Sequence, residues 1–248
     1  MTEMNRYNDY NDFAWFYNRF WSERLIRQIF GTIEDHLLSK LKPSNRILDI
    51  CCGNGHLAKM MTEKGFVVTG IDGSDEMIRY SRENSPTSEF QIVDAQEFEF
   101  EPVFDAATST CDSFNHIMSI DELRRTFTNA YNAIKPGGYF LFDLNNLEGY
   151  HKYWKGESHG KVDDDCALVI KFLYNEDSKI ATIDSAFFRL IDSIWRRTDL
   201  HLTQRYYPPE EVLAMLEDIG FKDIEMYDVE KDLGVEGTGR NMFVMRKG

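Results

Sequence analysis

Between residues 46 and 146 short apolar runs alternate with stretches of helical period. Ile47, Leu48 and Ile50 form a run of the kind that a strand buried on both faces of a parallel sheet requires. Gly53-Asn54-Gly55 interrupts it, and Leu57, Ala58, Met60 and Met61 then recur on one helical face. The alternation continues with a strand over 66–72 and a helix over 75–83 that turns Met77 and Ile78 inward. Strands over 90–95 and 104–110 follow, then a helix over 121–135 and a strand over 139–146. Lys135-Pro136-Gly137-Gly138 is a strong helix stop. Five such repeats predict an α/β, doubly wound, mostly parallel sheet with one crevice at the strands' carboxyl ends.

The period changes near Gly149. Strand-like runs over 167–174, 179–190 and 193–206 are joined by Asn175-Glu176-Asp177-Ser178 and Ile191-Asp192, which predicts antiparallel hairpins. They read as a small β insertion covering the ligand edge of the sheet. A helix over 208–219, stopped by Gly220, leads back to strands over 224–227 and 242–245, for seven strands in the main sheet. At the other end, Phe13, Phe16, Tyr17, Phe20 and Trp21 share a helical spacing, and a second helix is predicted over 31–41, before Pro43. The bulky face either docks on the sheet or covers a ligand, and the two readings are compatible. The expected division is a helical lid (1–45), a core (46–148 and 208–248) and an insertion (149–207).

Composition narrows the possible partners. A formal net charge of −14 over 248 residues argues against nucleic acid or an anionic membrane, since phosphate binding depends on clustered Lys and Arg. Cys51, Cys52, Cys111 and Cys166 lack metal-ligand spacing and read as reduced, packed thiols of a cytoplasmic protein. The six histidines show no metal spacing either, so no metal is expected. The N-terminus does not read as a secretion signal, and no run in the sequence approaches the roughly eighteen apolar residues of a membrane helix.

The residues that carry chemistry sit where the strands end. The glycine turn after 46–50 lets a ligand approach the backbone, but it lacks the Gly-Lys-Ser/Thr of a triphosphate site. Ala58 stands where the dinucleotide fingerprint has its third glycine. Asp72, closing the second strand, is placed to accept hydrogen bonds from both hydroxyls of a ribose, a role that nicotinamide enzymes share. Asp94-Ala95 closes the third strand.

Asp49-Ile50-Cys51-Cys52-Gly53-Asn54-Gly55 resembles the D-x-x-C-G-x-G signature of class I S-adenosylmethionine-dependent methyltransferases. The aromatic N-terminal segment, the insertion after the fifth strand and Asp112-Ser113-Phe114-Asn115-His116 resemble small bacterial members, among them sugar-amine N-methyltransferases. The resemblance implies a Rossmann-like fold and S-adenosyl-L-methionine as cofactor, released as S-adenosyl-L-homocysteine. It places Asp49, Cys51, Gly53 and Gly55 around the methionine part, and Asp72, Gly73, Ser74 and Met77 around the ribose. Asp94, Ala95 and Gln96 would surround the adenine, with Thr110, Cys111 and Asp112 beneath the sulfonium. Asn54 replaces the threonine common in the family, and asparagine tolerates the same turn.

Methyl transfer is an in-line displacement that asks mainly for positioning and exclusion of water. His116 is the candidate base, or else a loop histidine bonded to backbone. Tyr17 is a candidate for ordering or covering the acceptor. His201 and Arg205, on one face of the last insertion strand, either hold an acceptor carboxylate or phosphate or are solvated surface; Arg240 lies in a glycine-flanked loop. The expected reaction moves a methyl group to nitrogen, or less readily oxygen, of a small molecule. A nicotinamide-dependent oxidoreductase and a non-catalytic S-adenosylmethionine-binding protein are the alternatives.

Overall fold

The computed structural model describes residues 7–248; residues 1–6 of the expected lid lie outside the described residues. Helices α1 (Asn8–Phe20) and α2 (Ser22–His36) precede β1 (Arg46–Ile50), α3 (His56–Glu63), β2 (Val67–Asp72), α4 (Asp75–Asn84) and β3 (Glu89–Ile92). Next come β4 (Phe104–Ser109), α5 (Ile120–Ala133), β5 (Ile134–Asn145) and α6 (Leu147–Tyr153). An antiparallel sheet follows, formed by β6 (Lys155–Val162), β7 (Cys166–Asn175), β8 (Ile180–Ile191) and β9 (Ile194–Arg205). Then α7 (Pro209–Ile219), β10 (Phe221–Asp228) and β11 (Arg240–Lys247) close the chain.

The main sheet has seven strands in the order β10-β11-β5-β4-β1-β2-β3. Strands β1 to β5 run parallel, and β11 pairs antiparallel with both β5 and β10. The order reverses between β1 and β4, and there the carboxyl ends splay around a crevice. Strand pleating assigns side chains to two cores. Leu48 and Ile50 of β1, and Phe140, Phe142 and Leu144 of β5, pack towards α5 and α7; Ile47 and Leu141 pack on the α2–α3 side. Phe142 and Phe243, paired across β5 and β11, stack with centroids 4.9 Å apart.

Four local expectations are corrected. The helix expected over 31–41 is α2, ending at His36; Gly31 lies inside it, where open space surrounds the glycine. Helix α5 stops at Ala133 as the proline-glycine signal requires, yet β5 begins at once with Ile134, runs through Pro136 and Gly137-Gly138, and pairs Ile134 with Phe104. Strand β6 was not expected, because an edge strand written Lys-Gly-Glu-Ser-His-Gly-Lys-Val has no buried face to impose a hydrophobic period. Helix α6, seven residues of which only Gly149 and Tyr150 are buried, departs from the expected β insertion as well.

Helix α1 lies between the two sheets. Its bulky face meets the insertion: Phe16 and Phe187 have centroids 4.3 Å apart, and Phe16 shares a buried cluster with Leu168, Ile170, Leu200 and Leu202. Polar groups tie the same helix to the core. Asn11 Oδ1 accepts from Ser74 Oγ at 2.5 Å, and Asn54 Nδ2 donates to the Ala14 carbonyl at 3.3 Å.

Candidate active site

A cavity of about 570 Å³ occupies the crevice between the sheets, within the range of ligand pockets. One half is built by the β1 and β2 loops. Past Ile50 the chain turns through left-handed Cys51 and Gly53, which aims the Gly53 amide at Asp72. That amide donates to Asp72 Oδ2 at 3.0 Å, and the Ser74 amide donates to Oδ1 at 2.9 Å. Burial nevertheless raises the Asp72 pKa to about 6. Ser74 is the true cap of α4, its hydroxyl accepting from the Met77 amide, so Asp72 is free of that duty. At the next strand end, Asp94 Oδ1 accepts from the Gln96 amide at 2.8 Å, beside buried Ala95.

Asp49, Cys51, Gly53, Asp72, Gly73, Met77, Asp94, Ala95, Gln96, Thr110, Cys111 and Asp112 all line the cavity. Gly55 and Ser74, expected among them, do not. Gly55 acts from behind: at φ +75° it seats α3 on α4, where an added Cβ would lie 2.8 Å from Ser81 Cβ. All four cysteines are free thiols.

The other half follows β4. Cys111 and Asp112 are left-handed, and Asp143 at the end of β5 holds them so, accepting from their amides at 3.0 and 2.6 Å. Arg240, buried, lies 3.3 Å from Asp143 and 3.1 Å from Asp112. A turn of 3₁₀ helix, Ser113–His116, then carries His116 into the cavity. His116 stands edge-on to Tyr10 at 5.7 Å, and burial lowers its pKa below the ordinary imidazole value.

Gln204 of β9, fully buried, organises this half. Its Oε1 accepts from Asn145 Nδ2 at 2.9 Å and from Tyr150 OH at 3.0 Å, which fixes the amide orientation. Its Nε2 therefore donates to Asp112 Oδ2 at 2.6 Å and to His116 Nε2 at 2.9 Å. An imidazole nitrogen that accepts carries no proton, so neutral His116 holds its hydrogen on Nδ1. Gln204, Asn145, Asp143 and Tyr150 escaped the sequence reading. Gln204 did leave a trace: it continues the buried alternation of Leu200 and Leu202 as a polar residue.

The remaining candidates lie apart from this floor. Tyr17 covers the glycine loop, its ring 3.4 Å from where a Gly53 Cβ would be, and it lines the cavity together with Cys111. His201 and Arg205 fall on the face of β9 opposite Leu200, Leu202 and Gln204. His201 reaches the cavity rim but bonds Asp184 at 2.6 Å. Arg205 lies outside the lining, donating to the Met118 carbonyl at 3.0 Å with its guanidinium over Tyr207. Strand pleating turns the pair away from the cavity, so the expected grip on an acceptor carboxylate or phosphate gains no support. Among the described residues, no cluster of three His, Cys, Asp or Glu side chains is placed to hold a metal ion, and no helix is long and apolar enough to cross a membrane.

The first half of the cavity fits S-adenosylmethionine. Asp49 Oδ1 accepts from Thr108 at 3.0 Å while Oδ2 is buried with no partner, and burial raises the carboxyl pKa to about 7. An ammonium is the group that such an oxygen lacks. Asp72 retains lone pairs for ribose hydroxyls, and Gly73 lets the Tyr7 ring close on this loop, where an added Cβ would lie 2.0 Å from Tyr7 Cζ.

Comparison with known proteins agrees. Residues 47–138 match a family model described as a methyltransferase domain. The Bacillus subtilis (strain 168) protein YqeM, which carries a methyltransferase name, is 30% identical over 215 residues, covering 80% of this chain and 87% of that protein. The crystal structure of an S-adenosylmethionine-dependent methyltransferase from Clostridium acetobutylicum superposes with a TM-score of 0.76 at 22% identity, over 97% of this chain and all of that one. CalS10 from Micromonospora echinaspora, an amino pentose methyltransferase solved with S-adenosylmethionine bound, gives 0.72 at 17% identity, over 99% of both chains. These likenesses, together with a cofactor cradle built at Asp49, Gly53 and Asp72, place the chain in the S-adenosylmethionine-dependent methyltransferase family.

Proposed function

We propose that this protein transfers a methyl group to the nitrogen of a small-molecule amine, with oxygen the less favoured acceptor atom. One observation carries the proposal: neutral His116 sits on the floor of the same cavity that holds the cofactor cradle, reached through the Asp112 turn. The fold shared with an amino pentose methyltransferase supports nitrogen. When bound, S-adenosylmethionine supplies a methyl group made electrophilic by its sulfonium.

The chain's own residues do the rest. Asp72 holds the ribose, and Asp94 with Ala95 and Gln96 encloses the adenine. Helix α1, pinned at Asn11 and Ala14, excludes water, with Tyr17 over the glycine loop. An amine must shed its proton before it attacks. An ammonium that replaces the Gln204 N–H at His116 Nε2 passes its proton there, while Gln204 keeps Asp112. With S-adenosylmethionine held at Asp49, Gly53 and Asp72, the freed nitrogen lone pair would take up the methyl group, and the electron pair of the C–S bond would stay on sulfur. The proposed lid, core and insertion at 1–45, 46–148 with 208–248, and 149–207 divide these tasks.

Titration calorimetry with S-adenosylmethionine and with NAD tests the reading. Micromolar S-adenosylmethionine binding that Asp72→Ala abolishes, followed by amine-dependent formation of S-adenosylhomocysteine, is the expected result. Cofactor binding with no turnover on any amine or hydroxyl acceptor would instead favour a non-catalytic binding protein, and NAD binding alone would defeat the assignment.

A further inference from the structure

The acceptor half of the cavity has an apolar roof and a polar, acid-bearing floor. The roof is the inner face of the four-stranded sheet, with Ile170, Phe172, Ile183, Leu200 and Leu202, closed at one end by Trp154. The floor is His116, Asp112, Gln204 and Asn145.

Every basic side chain among the described lining residues is neutral or already matched. Arg240 faces two carboxylates, Asp112 and Asp143. His201 is bonded to Asp184, and its side chain is 61% exposed at the rim. His56 is drawn into a polar cluster with Asn18 and Asn84, and burial lowers its pKa as it does that of His116. Among the described residues no lysine lines the cavity, whereas Asp9, Asp49, Asp72, Asp94 and Asp112 all do. A second anionic group entering here would be desolvated against apolar side chains and repelled by Asp112, with no unmatched cation among the described residues to receive it. A cation meets the opposite field. The whole cavity, cofactor included, is about 570 Å³, so the acceptor is compact.

We infer that the acceptor is a compact, largely apolar amine that enters as its ammonium form and brings no carboxylate or phosphate into the cavity. The inference rests on the amine-methylating reading above and sharpens it: aralkyl and cycloalkyl amines belong to the class, whereas amino acids and sugars joined to a nucleoside diphosphate do not. The ammonium is drawn by Asp112, its body lies under Leu200, Leu202 and Phe172, and its proton leaves to His116 as described.

Paired probes decide the matter, titrated into the full chain saturated with S-adenosylhomocysteine so that binding is read apart from turnover. The pairs are tryptamine with tryptophan and phenethylamine with phenylalanine, alongside thymidine diphosphate-glucose. At least one of the two amines is expected to bind, with its amino acid at least about 100-fold weaker and no binding of the nucleotide sugar. Leu202→Lys, which adds a cation to the roof, is expected to narrow that ratio about tenfold or more; its thermal unfolding shows whether it has kept the fold, and the wild-type pairs decide without it. Equal or tighter binding of an amino acid or of the nucleotide sugar would overturn the inference, as would indifference to both amines. Failure of S-adenosylhomocysteine itself to bind would strike the underlying assignment instead, and the inference with it.

Discussion

Replacing Arg240 with methionine isolates the electrostatics that shape the β4 turn. Arg240 and Asp143 have side chains only 10% and 4% exposed, and Asp112 is 18% exposed. Methionine keeps much of the volume and removes the charge, leaving two carboxylates facing each other with little water. Stranding one partner of a buried pair costs about 3–5 kcal/mol, and that is the expected loss at pH 7.5. Burial already raises the Asp143 pKa, with Arg240 opposing it, so the variant moves that carboxyl further up. An acid whose folded pKa exceeds its unfolded value favours the folded state when protonated. The penalty is therefore complete above the raised folded pKa, shrinks as pH falls through it, and vanishes below the ordinary carboxylate range near 4. Urea unfolding of wild type and Arg240→Met at pH 7.5 and 5.0 reads the difference, and Asp143→Asn in the Arg240→Met background is expected to recover part of the loss at pH 7.5. A loss under about 1 kcal/mol at pH 7.5, or one that does not shrink at pH 5.0, would refute the assignment of Arg240 as the neutralising charge.

Because burial raises Asp72 to about 6 and Asp49 to about 7, S-adenosylmethionine affinity is expected to fall as pH drops through those values, by at least about tenfold between pH 7.5 and 5.0; calorimetry giving equal affinities would remove both the ribose and the ammonium roles. Gly55→Ala forces a Cβ into left-handed backbone 2.9 Å from Ser81 Cα, and a loss of about 2–5 kcal/mol in urea unfolding is expected although the residue does not line the cavity. Gln204→Leu strips partners from Asn145, Tyr150 and Asp112 and is expected to cost about 2–4 kcal/mol. It also frees His116 Nε2, so nitrogen NMR of the ring is expected to show the Nδ1-protonated form giving way to a mixture; an unchanged tautomer would contradict the hydrogen-bond assignment.

What the sequence determined by itself is local. Ile47, Leu48 and Ile50 can only be a buried strand, Gly53 and Gly55 supply the left-handed turns that follow it, and Asp72 must emerge at the end of Val67–Asp72. The parallel order and the cofactor cradle follow, because each needs a strand, a turn and a helix in succession. Tertiary structure decided the acceptor side. Gln204 meets His116 across 88 positions and Asp112 across 92, and Arg240 meets Asp112 across 128, distances over which no period carries information. It decided that the aromatic face of α1 packs on Phe187, since bulky side chains at helical spacing do not name their partner. It also turned His201 and Arg205 outward, because pleating sets two faces for a strand and only packing decides which one is buried.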